Sequence, residues 1–252
     1  PYTPLKRDGE TISYLGGTVK LSADGLPASI VTNYDQANQL DRSISNEVLA
    51  KPVAFVVETS KGTEKLKPSK IEFLKQTPAT LEWKVLLKGS DVEAECLAKM
   101  LFDGTINYQL KVTALRDVEV KDIRTVFDYT HYASKYIMGL GVKGGARPDS
   151  TIDWKWDTIK QQDRIWLGNV VFKDSNYKRP LVNIYYEFGR IRYPHSWGND
   201  NKGGINITEQ ANATRVNAYS GERTLKTGEK LDFDFDLLVT PVKPIDLKAH
   251  FA

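Results

Sequence analysis

The chain has a single cysteine, Cys96, among 252 residues, which excludes an internal disulfide and a thiolate metal cluster. Its three histidines, His131, His195 and His250, lie far apart and leave no HExxH-type ligand spacing. No apolar run approaches the roughly 20 residues that cross a bilayer as a helix, so no membrane span is expected. An excess of charge of one sign is also lacking: 35 Lys and Arg stand against 32 Asp and Glu, a net of +3 with both signs interspersed. Phosphate binding calls for a basic stripe, so nucleic acid is not the expected partner. Neither a GxSxG elbow nor a GxxxxGK[ST] loop occurs, and no Pro/Gly-rich linker, repeat or low-complexity tract divides the chain. Nothing in these patterns implies a cofactor or a metal.

What is present is period-2 alternation, the mark of strands with one buried and one wet face. In "ATLEWKVLLKG" Leu81, Trp83, Val85 and Leu87 alternate with Glu82, Lys84, Leu86 and Lys88. "INYQLKVTAL" presents Tyr108, Leu110, Val112 and Ala114 on one face. In "KLDFDFDLLV" Phe233, Phe235 and Leu237 oppose Asp232, Asp234 and Asp236. Cys96 sits in such a pattern in "DVEAECLAKML" and reads as a small buried hydrophobe. Asp24-Gly25 and Asp103-Gly104 supply the positive φ of tight hairpin turns and predict two antiparallel hairpins. Further strands are expected at "PVAFVVETS", "KIEFLKQ", "DVEVKDIRTVFDY", "RIWLGNVVF", "LVNIYYEFG" and "ATRVNAYSG".

Helical patterning is thin, and "NYDQANQLDRSISNEVLA" is the best candidate for a short turn or two of helix. Two segments read as irregular: the opening thirty or so residues, and Ile191 to Thr208, "IRYPHSWGNDNKGGINIT". Long loops in a compact domain are often functional. The fold class is therefore all-β, a large two-sheet antiparallel β-sandwich with long end loops, forming one domain over residues 1–252. The chain opens at Pro1 without an initiator Met or a signal peptide, so a trimmed or mature fragment is expected.

The candidate ligand residues lie in the glycine- and tryptophan-rich stretch from Gly139 to Val170 and in the loop "YPHSWGND". Trp154, Trp156 and Trp197 offer flat apolar faces of the kind that stack on sugar rings, and Arg147, Asp157, His195 and Asp200 offer polar groups for hydroxyls. The competing reading makes the indoles plugs at the end of the sandwich core, and it ranks first because tryptophan is on average a buried residue. Trp83 and Trp166 read as core. Glycoside hydrolysis needs two carboxyl groups about 5–10 Å apart, and spacing across loops does not establish such a pair. Ser196 beside His195 is not a triad, which needs a base oriented by a third group. No catalytic residue is assigned.

Several ordered blocks carry a family resemblance: "YIMGLGVKGGARP", "DWKWD", "QQDRIWLGNV", "RPLVN", "SWGNDNKGGI" and "YSGERTLKTGEKLDFDFDLLVTPVKPIDLKAHF". Strongest from Tyr136 to Phe251, they resemble a group of large bacterial proteins with a domain of unknown function, grouped with glycoside hydrolase family 123. The resemblance implies a sandwich of the galactose-mutarotase-like kind, excised from a multidomain secreted or periplasmic protein in which it precedes a (β/α)8 barrel. In related enzymes that barrel carries an Asp–Glu pair that removes N-acetylgalactosamine with help from the substrate's acetamido group. The pair maps onto no residue here, because the alternation of strands and helices that builds a barrel is missing. The partners implied are the chain's own C-terminal catalytic barrel and a glycan. A self-sufficient carbohydrate-binding module is the alternative.

Overall fold

The computed structural model describes residues 3–35, 37, 39–140, 142–157, 164–167, 170–173 and 195–238. Five strands open the chain, β1 (Lys6–Asp8), β2 (Thr11–Tyr14), β3 (Gly17–Leu21), β4 (Pro27–Thr32) and β5 (Asn46–Glu47), and pair antiparallel in chain order. Next come β6 (Ala54–Thr59), β7 (Gly62–Thr63), β8 (Lys67–Pro68), β9 (Glu72–Gln76), β10 (Thr80–Lys88), β11 (Val92–Leu101), β12 (Thr105–Ala114) and β13 (Val118–Tyr129). A small hairpin of β14 (Tyr136–Gly139) and β15 (Val142–Ala146) is followed by β16 (Ile152–Lys155), β17 (Arg164–Leu167) and β18 (Val170–Lys173). After the short helix α1 (His195–Gly198) come β19 (Gly204–Gln210), β20 (Ala213–Tyr219), β21 (Arg223–Leu225) and β22 (Lys230–Leu238).

These strands form the expected all-β antiparallel sandwich. One layer is a large sheet ordered β17-β18-β22-β12-β11-β10-β8, with β9 also paired to β10. Facing it is a sheet ordered β16-β19-β20-β13-β6-β7, with β21 on β13. The N-terminal sheet β1–β5 extends this second layer. A bridge between Leu49 and Tyr129 and the hydrogen bonds Ala50 N to Asp128 O (2.7 Å) and Thr130 N to Val48 O (3.0 Å) stitch the two together.

The alternation read from the sequence builds the core. Across four adjacent strands Trp83 lies opposite Ala98, Ala98 opposite Tyr108, and Tyr108 opposite Phe235. One small side chain between two large ones lets the layer interleave. The Tyr108 ring stacks on Phe235 at 5.0 Å, and Phe127 of the facing sheet meets Phe235 edge-on at 5.7 Å. Cys96 is fully buried, as its pattern requires. Both predicted hairpins form. Gly25 (φ 83°) and Gly104 (φ 91°) take the left-handed backbone, and the Gly25 carbonyl accepts from Trp83 Nε1 at 2.9 Å. This anchors the N-terminal sheet on the large one.

Several expectations are corrected. The described residues of "NYDQANQLDRSISNEVLA" hold no helix; they carry the Tyr34–Leu40 bridge and β5, as the Asx turn in which Asp35 Oδ1 accepts from Ala37 N and Gln39 N tightens the chain locally. The opening segment is a four-strand meander, because Ile12, Tyr14, Val19 and Leu21 are all buried and need a sheet to carry them. The segment ending at Thr208 contains α1 and the start of β19. "GVKGGARP" is mostly strand β15. Asp234, expected on a wet face, is 1% exposed where the strand runs beside α1. The expected strand "LVNIYYEFG" and the segment "TPVKPIDLKAHF" lie outside the described residues, as does the Trp166 side chain.

Candidate functional site

The tryptophan-rich end is built from β16, β19, β20 and α1. β16 pairs with β19, setting Trp154 opposite Ile205 and Lys155 opposite Gly204. Alternation turns Ile152 and Trp154 toward the core and Asp153 and Lys155 toward solvent. Trp154 is half-buried. Trp156, just past the strand, is 2% exposed and meets the Trp154 ring edge-on at 4.9 Å. Trp197, on α1, is 1% exposed; its indole N–H donates to Asp234 O at 2.9 Å. All three indoles thus belong to or rim the core.

The loop after α1 is held by unusual backbone. Asn199, Asp200 and Asn201 have φ of 43°, 51° and 70°, a left-handed run that Asn and Asp tolerate better than other side chains. Asn199 offsets part of its cost by donating to Ser220 O at 2.8 Å and to Glu222 O at 2.9 Å. A Cβ at Gly203 would overlap the Trp197 carbonyl, and one at Gly204 the Trp154 carbonyl. These two glycines let both tryptophan-bearing backbones close on the sheet. Arg223 Nη2 donates to Ser196 O at 2.6 Å, and Asp232 N donates to Ser196 Oγ at 3.1 Å. Burial pushes the Arg223 guanidinium down to about 10, against the fields of Asp122 and Asp200. Asp122 in turn accepts from Ser220 N and Gly221 N at 3.0 and 2.9 Å.

The solvent face of this end is polar and aromatic. Lys155 Nζ lies 4.6 Å from the Tyr219 ring centroid, and the Tyr219 hydroxyl donates to Asp153 Oδ1 at 3.4 Å. Asn206 stands between Asp153 and Asn217 in register.

A second polar group occupies the other end of β19. Glu209 Oε1 pairs with His131 Nε2 at 2.8 Å, while Oε2 accepts from Arg147 Nη2 at 2.6 Å and from Thr214 Oγ1 at 3.3 Å. Arg147 Nε donates to Ser134 O at 2.9 Å and Nη1 to Pro148 O at 3.1 Å. Glu209 lies four residues from Ile205, about 14 Å along a strand. The seven candidate residues are therefore split. Trp154, Trp156 and Trp197 gather around Gly203 and Gly204, whereas Arg147 is at the opposite end. Asp200 is exposed, Asp157 is half-buried, and His195 opens α1 with its side chain outside the described residues.

The sequence reading missed Tyr219, Asn206 and Asn217. Their signal was the polar half of the alternation in "NITEQ" and "ATRVNAY", which shows that residues face outward but not that they share a surface. Chemically, several of the described carboxylates serve as acceptors within the fold. Asp128 receives Arg215 Nε and Nη2 at 2.7 and 2.8 Å, which holds it below the usual carboxylate range. Among the described residues no three His, Cys, Asp or Glu side chains converge on a metal position, and no helix is long and apolar enough to cross a membrane.

A comparison with curated proteins finds no match. Among solved structures, a candidate aldose 1-epimerase from Escherichia coli K12 is similar with TM-score 0.49 and 8% identity, over 92% of this chain and 98% of that one. The Slr1438 protein of Synechocystis sp. PCC 6803 is similar with TM-score 0.47 and 8% identity, over 94% and 97%. Residues 5–241 match the family described as the third domain of glycoside hydrolase 123. With nearly its whole length inside that match, the chain belongs to the glycoside hydrolase 123 third-domain family.

Proposed function

We propose that the chain is the accessory β-sandwich domain of a secreted or periplasmic glycoside hydrolase. It packs against a (β/α)8 catalytic barrel and lends loops to the glycan cleft without hydrolysing glycosides itself. One observation supports this reading: aromatic and charged side chains that could meet a ligand are engaged within the fold. Trp156 and Trp197 are sealed, Arg147 donates from Nε, Nη1 and Nη2 to protein oxygens, and Asp128, which receives Arg215, is held below the usual carboxylate range. A general acid must hold its proton near neutral pH. An arginine partner stabilises the ionised form instead.

The test compares hydrogen exchange of the chain alone with that of the chain plus a separately produced barrel. Protection of one continuous face is expected, and uniform exchange in both samples would remove the docking role. Release of p-nitrophenol from p-nitrophenyl N-acetylgalactosaminide by the isolated chain, abolished by Asp157→Asn, would overturn the non-catalytic role. A self-sufficient carbohydrate-binding module is the second reading, favoured by the half-buried Trp154 at the rim beside the Tyr219 surface. It requires sugar affinity in the isolated chain that Trp154→Ala removes while the fold persists.

A further inference from the structure

The outer face of the large sheet carries a cavity of about 320 Å³, formed across β10, β11, β12 and β22 and lined by Lys88, Glu93, Glu95, Lys111 and Lys230 beside the exposed Leu86. In register, Lys88 lies opposite Glu93, and Glu95 lies opposite Lys111. Cross-strand neighbours of opposite charge ordinarily pair. On the same face they do: Lys84 reaches Glu72 at 3.5 Å and Lys99 reaches Glu82 at 3.6 Å. Around the cavity, Lys88, Lys111 and Lys230 form no ion pair with Glu93 or Glu95 among the described residues. Three ammonium groups and two carboxylates thus border one hollow with their charge unspent.

We propose that this groove binds a saccharide bearing a carboxylate or sulfate group. Lys88, Lys111 and Lys230 receive the anionic group, and Glu93 and Glu95 accept from neighbouring hydroxyls. The volume sits at the lower end of small-ligand sites, roughly 300–1,000 Å³, which suits one or two sugar rings. Among the lining residues ammonium groups outnumber carboxylates three to two, with Asp232 opposite Lys111 outside the lining, so an acidic saccharide is favoured over a neutral one. The choice of a saccharide rests on the accessory-domain reading. The choice of an anionic one rests on the groove alone.

Titration calorimetry of the full chain with a hyaluronan hexasaccharide, a chondroitin sulfate hexasaccharide and neutral chitohexaose tests this. Acidic sugars should bind at least about tenfold tighter than chitohexaose, the scale of one hydrogen bond to a charged group, and more weakly as salt is raised. Hyaluronan alone would assign the carboxylate, and preference for the chondroitin sulfate would assign the sulfate. Lys111→Ala and Lys230→Ala should each weaken binding by about tenfold, with unchanged circular dichroism, whereas Lys84→Ala leaves it intact. Equal affinity for all three sugars, or affinity indifferent to Lys111 and Lys230, overturns the groove while sparing the accessory-domain reading. Absence of binding to any of the three overturns it as well. Failure of the docking test in hydrogen exchange would strike that reading and leave the groove standing.

Discussion

Trp197 meets Phe233 edge-on at 5.0 Å while its indole N–H donates to the backbone carbonyl of Asp234. The ring bolts α1 to β22 and leaves no face free for a ligand. Trp197→Ala should therefore destabilise the fold by about 3–5 kcal/mol, the usual cost of emptying a large aromatic site, read as a lower urea midpoint. A variant that unfolds like the parent but loses sugar binding would instead make Trp197 a contact residue.

Gly203 tolerates no side chain, because a Cβ would overlap the Trp197 carbonyl oxygen. Gly203→Ala should lower stability by at least about 1–3 kcal/mol, as overpacking does. Gly62→Ala is a control for backbone strain, since Gly62 has φ 112° and an added Cβ would meet nothing. A Gly203→Ala melting temperature equal to that of the parent would refute the close approach.

Asp122 pairs with Arg124 Nη1 at 3.2 Å, accepts two backbone N–H groups and is the first counter-charge in the field of the half-buried Arg223. Asp122→Asn breaks the Arg124 ion pair and removes the first counter-charge of Arg223. Loss of a hydrogen bond to a charged group costs about 1.5–3 kcal/mol. Chemical denaturation of Asp122→Asn measures it, and a change under a few tenths would show the pair to be solvated.

Stability should fall in acid for a specific reason. Asp128 is held below its ordinary 3.8 first by the hydrogen bond from Arg215, against the opposing effect of burial. Asp117 is drawn down to about 2 by hydrogen bonds from Lys226 and the Thr227 N–H. Each folded value lies below the unfolded one, so the stabilisation is complete above the unfolded value and disappears as pH falls through the folded value. Asp128→Asn should thus be less stable than the parent at neutral pH, by about 2 kcal/mol for a charged hydrogen bond. The gap should close on acidification below 3.8. A gap that does not change with pH would reject the ionised pair.

The Glu209 cluster joins His131, Arg147 and Thr214 across the end of one sheet. Partly exposed ion pairs contribute little to global stability, about 0–1 kcal/mol, so the expected effect of Glu209→Gln is local. Amides of Tyr136–Gly139 and Val142–Ala146 should exchange faster while the global midpoint moves little. Unchanged exchange there would show the hairpin to be held by packing alone.

Strands whose core face is large and continuous were legible in the sequence. Leu81, Trp83, Val85 and Leu87 announce both their element and their buried face, since alternation is a local property. Strands in the opening segment were harder, because β1 and β2 are short and a four-residue run such as Thr11–Tyr14 shows only two apolar residues. The site was less legible still. Arg147 and Glu209 stand 62 residues apart, and only the pairing of β14, β15 and β19 into the fold brings them together. The left-handed run at Asn199–Asn201 had compositional support in its Asn and Asp residues, but its direction depends on the partners Ser220 and Glu222. The glycines of Gly203–Gly204 marked a close approach without naming what approaches.

The flank of the large sheet beyond β10 is divided between β9, opposite Leu81–Lys84, and β8, opposite Leu87–Lys88. Neither is long, β9 is interrupted by a bulge near Glu82 and Trp83, and β8 contains Pro68, which has no N–H to donate. A stray strand from another molecule finds no continuous row of amides to zip onto at this margin. The broken border thus offers poor purchase for fibre-like edge-to-edge pairing along this margin.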